Sequence, residues 1–269
     1  MKRGQRRRTT VPNENGPGLL FILVAIGAVA LISARFFGFT PGDWLASTGG
    51  PVSVQQPWES PASSGPDAND ESAPIVLIYH THASENYVPK EAHARAGQTG
   101  DIVEVGRAFA AALEAEGIRT VHLTGAYDAS WSDSYNQVRP AVAQMIENYG
   151  EVAAVFDIHR DAIENWHPGV TTAQLNGSDV AKIMFVVGET GNNRIQENIA
   201  FATKLKDHLG AVYPELVRGV RTMQGDFNGD LHPNAVQVYI GEHRDNSLTE
   251  AKLAAQYLAK AVAEVLLAE

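Results

Sequence analysis

The chain has 269 residues, 44% apolar and 19% charged, enough for one large domain and preceding segments, and it contains no cysteine. Disulfides, thiolate metal sites and cysteine nucleophiles are thereby excluded, so a transition-metal site would have to use histidine, carboxylate and water. The net charge of −10 is uneven: residues 1–37 hold six basic side chains against Glu14, and the remainder is net −15, an acidic body that argues against nucleic acid as a partner.

Residues 18–34 form an apolar run without charges, and Phe36-Phe37 extend it past Arg35. About 20 such residues cross a bilayer. The run is read as an uncleaved transmembrane anchor over 18–37, with the basic tail 1–17 in the cytoplasm and the rest of the chain outside it. A cleaved signal peptide is the alternative, but the run is long for one and Arg35-Phe-Phe is a poor cleavage site. Residues 38–74, rich in Pro, Gly, Ser and Asp, read as a flexible linker.

From residue 75 strands and helices alternate. Apolar, β-branched runs predict strands over 75–80, 118–123, 152–158, 182–187 and 235–240. Helical spacing predicts helices over about 102–116, 134–149, 192–210 and 247–267. The first helix carries Val105, Phe109, Ala112 and Leu113 on one stripe and stops at Gly117. Ser247-Leu-Thr-Glu250 is a capping box opening the last helix. The expected fold for 75–269 is α/β: a single layered domain with a mostly parallel twisted sheet flanked by helices.

The chemistry-bearing residues cluster where strands end. Ile75-Val-Leu-Ile-Tyr leads into His80-Thr-His82-Ala-Ser-Glu85, and Val152-Ala-Ala-Val-Phe leads into Asp157-Ile-His159-Arg160-Asp161. Open α/β sheets place their sites at the carboxyl ends of strands, so these two runs suit a divided metal site. His80 and His82 share a face if the strand continues, and diverge if the chain turns after His80. Asp157 or Asp161 is placed to orient His159. Arg160 suits an oxyanion or a substrate carboxylate, or closes its loop as an ion pair with an aspartate. A third cluster, Gly241-Glu242-His243-Arg244-Asp245-Asn246, offers Glu242 as a general base and His243 as a transition-state stabiliser; a charged helix-capping loop is the plainer alternative. His93, in a polar loop, and His122, in a strand, carry a weaker signal. No phosphate-binding glycine loop and no Gly-x-Ser-x-Gly elbow occurs.

Ile78-Tyr-His-Thr-His-Ala-Ser-Glu85, Phe156-Asp-Ile-His-Arg-Asp-Ala162 and Gly191-Asn…Glu197-Asn-Ile-Ala-Phe-Ala202 resemble the stage II sporulation protein P family, which is similar to zinc-dependent N-acetylmuramoyl-L-alanine amidases. The resemblance covers about residues 75–265. It implies an amidase-like fold and a membrane-anchored peptidoglycan hydrolase. Such an enzyme cuts the N-acetylmuramoyl-L-alanine amide, and the family is also associated with peptide cross-links. The implied setting is engulfment of the forespore, with stage II sporulation proteins D and M as partners. On this resemblance Zn2+ is held by His82, His159 and a glutamate, Glu85 or else Glu104, with Glu85 preferred; His80 stays in the site as ligand or acid/base. One departure stands out. Family members commonly carry Glu-x-Gly at the end of the last strand, with that glutamate as catalytic base, whereas this chain has Tyr239-Ile-Gly241 and its next glutamate is Glu242. A degenerate member that binds peptidoglycan or a partner without cutting is therefore an alternative, and another extracytoplasmic metal-dependent hydrolase is a third.

Overall fold

The computed structural model describes residues 58–59 and 72–268. The expected anchor and basic tail lie outside the described residues, as does the linker apart from those few positions. Among the described residues no helix is long and apolar enough to cross a membrane.

Among the described residues nine strands and four α-helices follow one another as β1 (Trp58–Glu59), β2 (Ile75–Tyr79), α1 (Asp101–Ala115), β3 (Arg119–Leu123), α2 (Ser134–Tyr149), β4 (Val152–Asp161), β5 (Thr172–Leu175), β6 (Ser178–Ala181), β7 (Ile183–Gly188), α3 (Ile195–Val212), β8 (Val217–Met223), β9 (Ala235–Glu242) and α4 (Leu248–Leu267). A single 3₁₀ turn, Trp131–Asp133, precedes α2. Seven strands form one sheet in the order β1-β3-β2-β4-β9-β7-β8, and β5 and β6 form a separate hairpin. All four helices and all five strands expected from the sequence are present.

The sheet is mixed: most of its strand pairings are parallel, as expected, and two are antiparallel. β3, β2, β4 and β9 run parallel, but β7 is antiparallel to β9, β8 is parallel to β7, and β1 is antiparallel to β3. The reason lies in the connections. A parallel return needs a crossover, usually a helix; β4 reaches β7 through the β5–β6 hairpin instead, and β7 runs the other way. β1 also places two residues of the expected linker in the sheet, as an edge strand.

Side chains alternate between the faces of a strand, and that parity divides the core. Val76, Ile78, Phe156, Ile158, Val236, Val238 and Ile240 pack with α1, α3 and α4 on one face. Ile75, Leu77, Tyr79, Val155 and Ala235 pack with Val138, Ala141, Val142 and Met145 of α2 on the other. By the same parity Asp157 and His159 of β4, and Gln237 and Tyr239 of β9, belong to the α2 face. α4 begins as its sequence requires: Ser247 Oγ accepts from Glu250 N at 3.3 Å and donates to Glu250 Oε1 at 2.9 Å.

Candidate active site

The carboxyl ends of β2, β4 and β9 meet at the centre of the sheet. β4 pairs with β2 through Asp157 opposite Tyr79, and with β9 through His159 opposite Tyr239. β2 ends at Tyr79, and the chain then turns through His80–Glu85, whose side chains are all buried.

His159 is the centre of the cluster. Its Nε2 lies 3.0 Å from Asp157 Oδ2, and its Nδ1 lies 3.4 Å from Glu85 Oε2. All three side chains are 3% exposed or less. Burial alone would lower the imidazole pKa, but Asp157 and then Glu85 outweigh it and raise it to about 10. The carboxyls move the other way. Burial opposes it, but His159 and the Thr81 hydrogen bonds hold Asp157 below its usual value, and His159 and Arg160 do the same for Glu85.

Each carboxylate is anchored. Asp157 accepts from Thr81 N at 2.8 Å, Thr81 Oγ1 at 2.7 Å and Gln237 Nε2 at 3.0 Å. Glu85 accepts from Arg160 N at 3.0 Å, and Arg160 Nη1 stands 3.6 Å from its other oxygen. Arg160 is thus tied to Glu85, Ala92 O and His93; its ion-pair partner is Glu85 and not an aspartate of its own loop.

His82 is the second imidazole. Its ring centroid lies 5.3 Å from that of His159, its Nδ1 lies 3.4 Å from Ser134 Oγ, and Trp131 stacks on it at 3.6 Å with 20° between the planes. Trp131 is 48% exposed while His82 beneath it is 7% exposed. Burial and then His159 lower the His82 pKa to about 4, so this ring is neutral at pH 7 with a lone pair to give.

These donors suit a borderline divalent cation. Two imidazoles and a carboxylate are a known ligand set for a metal with an open position. The 3.4 Å between Glu85 Oε2 and His159 Nδ1 matches the roughly 3.4 Å that separates two ligands on a tetrahedral ion with ~2.1 Å bonds. Asp157 at the far nitrogen of His159 supplies the carboxylate that orients a liganding histidine. Among the described residues no three His, Cys, Asp or Glu side chains are drawn together tightly enough to hold a metal ion, and the His82 and His159 ring centroids are 5.3 Å apart.

The other sequence candidates are placed apart from this cluster. His80 leaves the cluster, because the chain turns after β2 and its ring falls on the α1 face. Nδ1 donates to Ile158 O at 2.9 Å, Nε2 meets His122 Nε2 at 2.8 Å, and burial lowers its pKa to about 4. Both of its nitrogens are engaged on the α1 face, away from His159. Glu242 is fully buried and takes bonds from Arg244 N (2.6 Å), Nε (2.8 Å) and Nη2 (2.7 Å). Those contacts tie it to its own loop. His243 sits 3.2 Å from that same carboxylate, in the same loop. Glu104 lies on the outer side of α1, paired with Arg107 and 45% exposed, so Glu85 is the glutamate beside His159.

The fold also brings in residues to which the sequence gave no role or a weak one. Tyr239, half-buried, has its ring 5.5 Å from that of His159; burial, then Glu85 and Asp157, push its phenol well up, so it stays protonated. Tyr135 OH accepts from Gln237 Nε2 at 2.8 Å. Trp131 and His93 stand edge to face at 4.6 Å. Their common signal is an aromatic or histidine in a loop, which only tertiary contact distinguishes from a solvated one.

A layered α/β domain with a mixed central sheet is an architecture this chain shares with solved amidase structures. One such protein, the CwlD amidase from Clostridioides difficile in a complex with the GerS lipoprotein, matches 73% of this chain and 100% of its own at a TM-score of 0.52 and 11% identity. A weaker likeness, to a metallo-carboxypeptidase from Burkholderia cenocepacia, covers 76% of this chain and 59% of that one at a TM-score of 0.45 and 11% identity. The sequence places the protein more narrowly. Residues 47–263 match the Stage II sporulation protein P (SpoIIP) family. The chain is 31% identical over 212 residues to stage II sporulation protein P of Bacillus subtilis (strain 168), covering 71% of this chain and 51% of that protein. The chain belongs to the stage II sporulation protein P family, and it spans about half the length of this curated relative.

Proposed function

We propose that this protein is a zinc-dependent peptidoglycan hydrolase that cleaves the N-acetylmuramoyl-L-alanine amide during sporulation. The observation that carries the reading is the Glu85–His159–Asp157 array, in which one ring has a ligand-spaced carboxylate at Nδ1 and an orienting carboxylate at Nε2. Family membership and the amidase-like fold support it. The same reading places the domain outside the cell, held by an anchor at residues 18–37, with stage II sporulation proteins D and M as partners.

His82, Glu85 and His159 would hold the ion. When bound, zinc supplies Lewis-acid polarisation of the amide carbonyl and acidifies water. The chain does the rest. Asp157 retains the proton on His159 Nε2 and so keeps Nδ1 free to donate its lone pair. Arg160 fixes Glu85 from its backbone and side chain together. The Tyr239 phenol, protonated across the neutral range, is a hydrogen-bond donor at the end of β9 and not a substitute base. Thr81 and Gln237 hold Asp157 so that none of these groups has to reorganise when substrate arrives.

The test uses the full chain in detergent on isolated peptidoglycan, with zinc and after chelation, and mass spectrometry of the released fragments. Stem peptides with a free L-alanine N-terminus, lost on chelation and in His159→Ala, support the reading. Tyr239 in place of the family's glutamate, and Glu242 locked to Arg244, favour a second reading in which the domain binds peptidoglycan without cutting. Bound zinc and bound peptidoglycan with no released fragment would establish that one.

A further inference from the structure

His93 borders the donor cluster without belonging to it. The loop returning from the end of β2 is pinned back on itself: Asn86 N donates to Ala92 O at 3.0 Å, Ala94 N donates to Ser84 O at 2.7 Å, and Glu85 and His93 form an antiparallel bridge. This pairing sets His93 directly across from Glu85.

The His93 side chain is exposed, yet its ring is held from two directions. Arg160 Nη2 lies 3.0 Å from His93 Nε2, and Trp131 packs against the ring at 82°. A guanidinium has no lone pair and can only donate, so Nε2 is the acceptor and a neutral ring carries its proton on Nδ1. As an acceptor, Nε2 carries no proton, so the ring is uncharged. Among the described residues Nδ1–H has no recorded partner. A loop histidine without a role gains nothing by giving up its rotamers. Here an arginine already spent on Glu85 also aligns an exposed ring, leaving a fixed, uncharged N–H donor beside the donor cluster.

We propose that His93 is a substrate-contacting residue of this site, its Nδ1–H donating to a carbonyl oxygen of the stem-peptide amide. The inference rests on the amide-hydrolysis reading above. An uncharged donor suits a carbonyl, and a donor to a carbonyl that gains charge in the transition state is worth about 10²–10³-fold in rate.

The experiment compares His93→Ala, His93→Asn and His93→Gln in the full chain, with zinc content measured on each. Asparagine places an amide N–H near the position of Nδ1, and glutamine near that of Nε2. The expected result is full zinc content in all three, a fall in kcat of about 10²-fold for Ala and Gln, and retention of most activity in Asn. The reverse order, with Gln active and Asn not, would mean that His93 only props Arg160 and the loop, and would overturn the proposal. If the wild-type chain releases no fragment, it is the hydrolytic reading that fails. Nitrogen-15 NMR of the His93 ring, titrated with muramyl dipeptide, then decides the contact. A proton on Nδ1 whose resonance moves with the probe supports it, and a proton on Nε2 or an unmoved resonance overturns it.

Discussion

Replacing Asp157 by asparagine asks whether one buried carboxylate governs the state of His159. The side chain is nearly isosteric, and the Asp157 residue is 1% exposed, so the change removes charge and leaves volume almost intact. It leaves Glu85 alone beside the ring, and it sets an NH₂ among donors that now point at an oxygen: Thr81 N, Thr81 Oγ1 and Gln237 Nε2. Breaking a buried pair by removing one partner costs about 3–5 kcal/mol. Two features reduce that here: His159 can lose its proton, and Gln237 Oε1, buried without a partner, can turn to accept from the new amide. A loss of about 3 kcal/mol at pH 7 is expected for the metal-free chain.

The pH dependence carries the sharper sign. His159 is raised to about 10, so in the metal-free wild type its contribution is complete below about 6.5 and is lost as pH rises toward 10. The carboxyls of Asp157 and Glu85 are depressed, so theirs is present above the ordinary carboxylate range and is lost as pH falls through the depressed values. In Asp157→Asn the alkaline loss should move down toward the ordinary histidine range, and the acid loss should shrink to the share of Glu85. Urea unfolding of the chelated protein between about pH 2 and pH 10 reads both limbs. Zinc affinity should also fall about 10–100-fold, as when an orienting carboxylate is lost. A variant within about 1 kcal/mol of wild type, with the same two limbs, would refute the argument.

Zinc and the His159 proton should compete, because a ligand nitrogen must be deprotonated. Calorimetry of zinc binding at pH 7 in buffers of different ionisation enthalpy is expected to report about one proton released per ion, and none would mean that His159 is not a ligand. Gly106→Ala should destabilise by about 1–3 kcal/mol, because a Cβ there would stand 2.5 Å from His80 Nε2 and 2.6 Å from His122 Nε2; an unchanged Tm would mean that the buried ring pair can move. Glu242→Gln should cost about 1–3 kcal/mol of stability with kcat nearly unchanged. A fall of about 10²–10⁴-fold would restore Glu242 as the general base.

The elements buried on both faces were legible because burial demands a continuous apolar run. Ile75–Tyr79, Val152–Phe156 and Ile183–Val187 announce themselves that way, and the helices by their 3.6-residue stripe. Asn176-Gly177 is a local hairpin signal: both residues have positive φ (51° and 80°) in the two-residue turn of the β5–β6 hairpin. β8 was not readable, because an edge strand such as Val217-Arg-Gly-Val-Arg-Thr-Met buries too little to keep an alternating pattern.

In the site, sequence alone put His82, Glu85, His159 and Arg160 where strands end, since the strand run and the residue types are both local. It did not decide His80 or Glu242. The two-residue period that pairs His80 with His82 holds only while the strand lasts, and β2 stops at Tyr79. The lone pairs of Glu242 are claimed by a neighbour, Arg244, whose direction depends on the loop. His93, Trp131 and Tyr239 join the site from separate segments through ring contacts and one guanidinium. The sequence determined which chemical groups reach the edge of this sheet. Which of them face one another was decided by strand parity, by the reversal of β7 and by loop closure, because a side chain's partners follow from where the backbone turns.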